Sequence, residues 1–270
     1  MNYLYLETTL FKISWNKKVA IEMNNPIIDK TSGNSRRDAM KIIRTLEEFR
    51  NPRNVEGMAR FGINSKNTLG VSIPMIRDLA KEIVRDPDLR TNVHRLALEL
   101  WETGIHEARI LAGFIDDPKC VTESQMEKWS ADFDSWDVCD QVCSSVFDRT
   151  DFAHRKALEW SKRKEEFVKR AGFVLMAALA VHDKDADDKM FLRFLPIVKR
   201  ESIDERNFVR KAVNWALRGI GKRNLSLRIA AVKCAEEILE IDSKTARWIA
   251  TDALKELKSA AVLKRLKKKG

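Results

Sequence analysis

From Ser35 onward, hydrophobic residues recur every three to four positions with polar residues between them, and the pattern is cut at short intervals by turn-forming residues. This periodicity predicts helices over about 35–50, 54–61, 73–85, 90–102, 106–115, 122–131, 136–148, 151–161, 164–181, 187–199, 205–220, 224–239 and 243–267. The breaks fall at Asn51 and Pro52, Gly70, Asp86 and Pro87, Gly104, Pro118, Thr150, the HDKDADD run at 182–188, Gly219 and Gly221, and Ile241 and Asp242. No alternating strand pattern competes. Short helices joined by short turns suggest stacked helical pairs, each burying its apolar face on its neighbours, in a solenoid whose repeats are degenerate in sequence.

Residues 1–22 break this pattern, with β-branched and aromatic residues and no helical period, and Met23 opens a polar segment. Residues 1–34 are therefore expected to be a flexible or weakly ordered extension, with 1–22 dispensable for folding. Residues 35–270 are expected to form a single domain ending in the basic tail LKRLKKKG.

With 270 residues and 44% hydrophobic content, the chain can bury a sizeable core. A net charge of +10 makes it attractive to polyanions, nucleic acid first and anionic membrane second. The longest apolar run, Phe173 to Val181, is about half of what a bilayer crossing needs. Four cysteines without a signal peptide predict a reduced, cytoplasmic setting. Cys139 and Cys143 could share a helix face, but with no CxxC or HxxxH partner nearby they read as core side chains, and no metal site or cofactor is expected. His106 and Glu107 lack HExxH spacing and read as hydrogen-bonding ties between helices.

Three helices carry residues that packing does not explain. In ADFDSWDVCDQVCSSVF (131–147), four aspartates, Asp132, Asp134, Asp137 and Asp140, lie within nine residues of an otherwise basic chain. Ser135 or Asp134 can cap a helix beginning at Trp136, and Asp137 suits its first turn. Val138, Cys139, Val142, Cys143 and Val146 form the apolar sector, and Trp136 and Asp140 share its edge. In the helix 164–181, Arg170 stands in an apolar stripe with Phe167, Val174 and Ala177. It should pair with a carboxylate, reach a phosphate, or pack its stem and send its head to water. Lys169 lies beside it. In the helix 205–220, Trp215 sits at the margin of the core face, flanked by Lys211 and Arg218. That suits either a surface for sugar and phosphate or a boundary tryptophan shielded by cationic stems.

Taken in order, SWDVCD (Trp136, Asp140), FVKRAGF (Arg170) and RKAVNWALR (Trp215) resemble the AlkD family of DNA alkylation repair glycosylases. LGVSIPMIRDLAKEI at 69–83 and LWETGIHEARILA at 100–112 are supporting landmarks, and the likeness runs over about residues 38–260. The resemblance implies an all-α fold, a curved α-solenoid of HEAT-like (ARM-type) repeats. It implies a monomeric, cofactor-free enzyme of base excision repair acting on double-stranded DNA, associated with the nucleoid through that DNA. The reaction implied is hydrolysis of the N-glycosidic bond of cationic alkylated purines, 3-methyladenine and 7-methylguanine, without base flipping. Asp140, Trp136 and Trp215 would then be catalytic. Arg170, with Lys169, Lys211 and Arg218, would bind the DNA backbone. Two departures stand out. Phe61 of MARFGIN occupies a place where the family often has a lesion-facing tyrosine, and a cysteine precedes the aspartate in WDVCD. The competing expectation is a noncatalytic helical-repeat scaffold that binds DNA or a protein partner.

Overall fold

The computed structural model describes residues 35–268, all helix and connecting turn. The expected extension over residues 1–34 and the last two residues of the basic tail lie outside the described residues. The described chain sorts into two compact units. One comprises the residues up to Val55 together with Asn67–Ile115, and the other Glu56–Lys66 together with the residues from Asp116 onward.

The first unit contains α1 (Ser35–Glu48), the start of α2 (Pro52–Arg60), α3 (Ile73–Arg85), α4 (Pro87–Arg90), α5 (Val93–Glu102) and α6 (His106–Ile115). Ile42 and Leu46 of α1, Ile76, Leu79 and Ile83 of α3, Leu96 and Leu100 of α5, and Ile110 and Leu111 of α6 bury the faces that their three- and four-residue spacing creates. Glu107 is completely buried. Its carboxylate accepts from the amides of Leu69 (2.9 Å), Gly70 (2.6 Å) and Val71 (3.2 Å), tying α6 to the backbone that enters α3. This is a structural tie, as the sequence suggests, although it runs to a loop and not to another helix.

The second unit holds α7 (Glu123–Ala131), α8 (Trp136–Ser145), α9 (Ala153–Trp160), α10 (Glu166–His182), α11 (Asp188–Leu192), α12 (Leu195–Glu201), α13 (Asn207–Gly221), α14 (Leu225–Leu239), α15 (Lys244–Leu257) and α16 (Ala260–Lys267). Helices α8, α10, α13 and α15 pack side by side in one row, and α9, α12 and α14 back that row as a second layer. The row is the structurally important feature, because every candidate residue of the sequence stands on it. Helix α10 is buried from Arg170 to Ala180, which explains why its sequence is apolar almost all round. Gly172 allows α9 to approach α10 closely, since a Cβ there would lie 2.5 Å from the Ser161 amide nitrogen.

Three predicted helices are broken in the structure. The segment 187–199 divides into α11 and α12 because Pro196 sits in the first turn of α12, where its missing amide is harmless but continuation of the preceding helix is blocked. The segment 243–267 divides at Ser259, whose hydroxyl caps α16 by accepting from the Val262 amide. The segment 136–148 ends at Ser145, since Val146 leaves helical geometry and a single 3-10 turn, Phe147–Arg149, follows.

Candidate DNA-processing site

Helix α8 begins at Trp136, and the residues before it do something other than what capping rules suggest. Neither Ser135 nor Asp134 caps α8. The Ser135 hydroxyl accepts from the Asn64 amide (2.9 Å), and Asp134 accepts from the Asn64 side-chain amide (2.8 Å). Trp136 adds a third link, its indole N–H donating to the Phe61 carbonyl at 3.1 Å. The turn 61–64 is thus strapped across the N-terminus of α8, and the Phe61 ring itself stays 74% exposed. Asp137 is buried in the first turn of α8.

Asp140 lies one turn beyond Trp136, and Arg170 of α10 meets it with two parallel hydrogen bonds, Nε to Oδ1 at 2.8 Å and Nη2 to Oδ2 at 2.7 Å. The remaining terminal nitrogen, Nη1, donates to the Phe208 carbonyl in the first turn of α13 at 2.5 Å. One guanidinium therefore joins three helices of the row. Of the options that the sequence leaves open for Arg170, the structure shows the carboxylate partner. Three of its five N–H groups are spent in this way, leaving two. The side chains of Asp140 and Arg170 are 13% and 6% exposed. Burial pushes the Asp140 carboxyl up from the ordinary carboxylate range, and Arg170 opposes that push through its charge and hydrogen bonds. Arg170 is held above its ordinary value, because Asp140 outweighs the burial that would lower it.

Phe208 completes the arrangement. Its ring lies 5.5 Å from that of Phe167, and it comes up against Gly62 of the strap. Gly62 has a φ of +78°, and a Cβ there would fall 2.6 Å from the Phe208 ring. Substitution of Gly62 by Ala is expected to displace Phe208 and loosen the strap, lowering stability by about 1–3 kcal/mol. Urea unfolding checks this, and an unchanged midpoint would show that the contact is not tight.

The other candidates separate clearly. Trp215 is half-buried on α13, two turns after Phe208 and on the same face. Lys211 is exposed. Lys169, by contrast, is held by Glu201 (2.5 Å) and Asp204 (3.2 Å), and Arg218 by Glu256 (2.9 Å) and Asp252 (3.3 Å), so both spend their charge within the protein. Cys139 and Cys143 are fully buried, and the Cys139 thiol donates to the Phe167 carbonyl. Sequence reasoning missed Gly62, Asn64 and the Phe208 carbonyl. A glycine in the FGIN turn signals positive φ, but no local signal pairs residue 62 with residue 208.

A carboxylate at the rim of a helical row, fixed by an arginine and adjoined by an indole, is equipped to stabilise a cation and orient water. The sequence profile of the DNA alkylation repair enzyme family matches residues 42–257. The chain belongs to the DNA alkylation repair enzyme family. Among individual curated proteins, none matches significantly. A similar solved structure is described as belonging to a new family of proteins related to the HEAT-like repeat DNA glycosylases with affinity for branched DNA structures. It superposes with a TM-score of 0.66 at 21% identity, covering 80% of this chain and 94% of that one. The likeness establishes the fold of this DNA alkylation repair family member as HEAT-like and helical. Among its described residues, no helix is long and apolar enough to cross a membrane.

Proposed function

We propose that this family member is a DNA N-glycosylase that releases cationic alkylated purines, 3-methyladenine and 7-methylguanine, from duplex DNA without flipping the base. The observation that carries the reading is the two-pronged hold of Arg170 on Asp140 beside Trp136. A purine alkylated at N3 or N7 already carries positive charge, so it leaves as a neutral base when the bond from N9 to C1′ breaks and its electron pair passes to N9. Protonation of the leaving group is unnecessary. The sugar left behind has oxocarbenium character, which a fixed carboxylate stabilises. Each oxygen of Asp140 gives one lone-pair direction to Arg170 and keeps another for a water, whose proton the carboxylate can take as the oxygen attacks C1′.

In this reading Arg170 first positions Asp140, and its two unused N–H groups are the donors it has left for a backbone phosphate. Trp136 and Trp215 offer ring faces to the developing cation and the sugar C–H groups. Lys211 supplies exposed charge for phosphate, whereas Lys169 and Arg218 contribute through the carboxylates they hold in place. Phe61, exposed on its strap, supplies an apolar face where the tyrosine of the family resemblance would stand.

The decisive experiment is incubation of the full chain with methylated duplex DNA, followed by chromatography for free 7-methylguanine and 3-methyladenine. Release of either supports the reading. Absence of both, with folded protein that still binds the duplex, overturns it. The second reading, a noncatalytic scaffold that binds DNA, is supported by the affinity for branched DNA structures described for the similar solved protein. A scaffold would bind DNA identically whether or not Asp140 were ionisable.

A further inference from the structure

The row α8, α10, α13, α15 carries one more tryptophan than the proposed function uses. Trp248, on α15, is 39% exposed, the most exposed of the described tryptophans. An exposed tryptophan is a large apolar cost unless something covers it. Part of it is faced by Arg210 of α13, whose guanidinium carbon lies 5.2 Å from the ring centroid.

The setting of this pair is a ladder between α13 and α15. Arg210 meets Trp248, Asn214 meets Asp252 (2.7 Å), Arg218 meets Asp252 and Glu256, and Lys222 meets Glu256 (2.7 Å). The lower rungs are polar and charge-paired. The uppermost rung alone exposes an aromatic ring. The acids of this ladder are consumed by it, and Arg210 also donates to the Asn207 side chain at 3.1 Å. Lys244 and Arg247 precede Trp248 on α15, Lys211 adjoins Arg210 on α13, and all three are exposed with no carboxylate partner among the described residues. Several other cations of this unit are paired. Lys156 alone is shared by Glu123, Glu127 and Glu159, and Arg206 is bound to Asp204. Lys211, Lys244 and Arg247 have no such carboxylate among the described residues, and they lie within four residues of Arg210 or Trp248 along their helices.

We propose that Trp248 and Arg210 form a stacking platform for an unpaired nucleobase of single-stranded DNA, with Lys211, Lys244 and Arg247 holding the flanking phosphates. An aromatic ring backed by a guanidinium, on helices that carry further exposed cations, matches what a single strand presents, a π-face joined to a row of phosphates. A blunt duplex presents the phosphates without a free base face, so it engages the cations and leaves the indole unused.

The platform is independent of base release and is tested without it. Binding of the full chain to an undamaged single-stranded oligonucleotide and to a blunt duplex of the same sequence is measured by fluorescence anisotropy at one fixed salt concentration, for the native protein, Trp248→Ala and Trp248→Phe. Trp248→Ala is expected to weaken single-strand binding by roughly 5- to 150-fold while leaving duplex binding within about twofold, and Trp248→Phe to keep most of the affinity. Single-strand binding unchanged in Trp248→Ala overturns the proposal. Equal losses on both DNAs overturn it as well, making Trp248 a duplex contact. An inactive Asp140→Asn protein should show the same single-strand affinity as the native one, which keeps this outcome separate from the fate of the glycosylase reading.

Discussion

Substitution of Asp140 by Asn is expected to lower single-turnover release of 7-methylguanine from methylated duplex by about 10²- to 10⁴-fold, the range associated with losing a positioned general base. Asn keeps the shape of the side chain and one acceptor for Arg170, so DNA affinity should stay within a fewfold of native. What disappears is the charge that faces the sugar cation. The reaction also carries a pH signature. The active form is the carboxylate, and burial raises the folded pKa of Asp140 above the ordinary value despite Arg170. The rate should therefore fall as pH drops through a point above about 3.9, the value for a free aspartate. An Asn variant that retains native rates, or an acid limb at or below the ordinary value, would count against Asp140 as the catalytic base.

Removal of Arg170 is expected to be the most destabilising single change at the site. Arg170→Ala leaves the Asp140 carboxylate without its cation and takes from the Phe208 carbonyl the donor it has beyond the helical ladder, in a setting where both side chains of the pair are largely buried. Breaking one side of a buried pair costs about 3–5 kcal/mol, which urea unfolding would read directly. Arg170→Lys should recover only part of this, because a single ammonium cannot donate in parallel to both carboxylate oxygens. Replacing both partners together, as Asp140→Leu with Arg170→Met, should regain stability while leaving no activity. A loss below about 1 kcal/mol for Arg170→Ala would show that the pair contributes as little as a solvent-exposed one.

Much of the architecture is legible in the sequence because helical periodicity and punctuation are local. The ends of α3, α6 and α14 fall within a residue of where the pattern places them. The misjudged breaks at Pro196 and Ser259 also carried local signals, a proline in a first turn and a serine cap, which the apolar period overrode. The site is different in kind. Trp136 and Asp140 can be placed on one edge of α8 from spacing alone, and Arg170 can be recognised as misplaced for simple packing. That Arg170 chooses Asp140, 30 residues earlier, and the Phe208 carbonyl, 38 residues later, is decided by which helices become neighbours. The same holds for Asn64, which takes Ser135 and Asp134 away from the capping role their position suggests.

The row of helices in the second unit has one more consequence, which concerns length. Neighbouring packed helices lie about 8–10 Å apart, so the three steps from α8 through α10 and α13 to α15 span at most ~24–30 Å. At ~3.4 Å of rise per base pair, that is room for roughly seven to nine base pairs. Asp140 and Trp248 would thus act as two marks on a ruler. A lesion and an unpaired base separated by no more than about that much duplex could be occupied together by one molecule, and a substrate series stepping the spacing one pair at a time should show binding peak at or below that length.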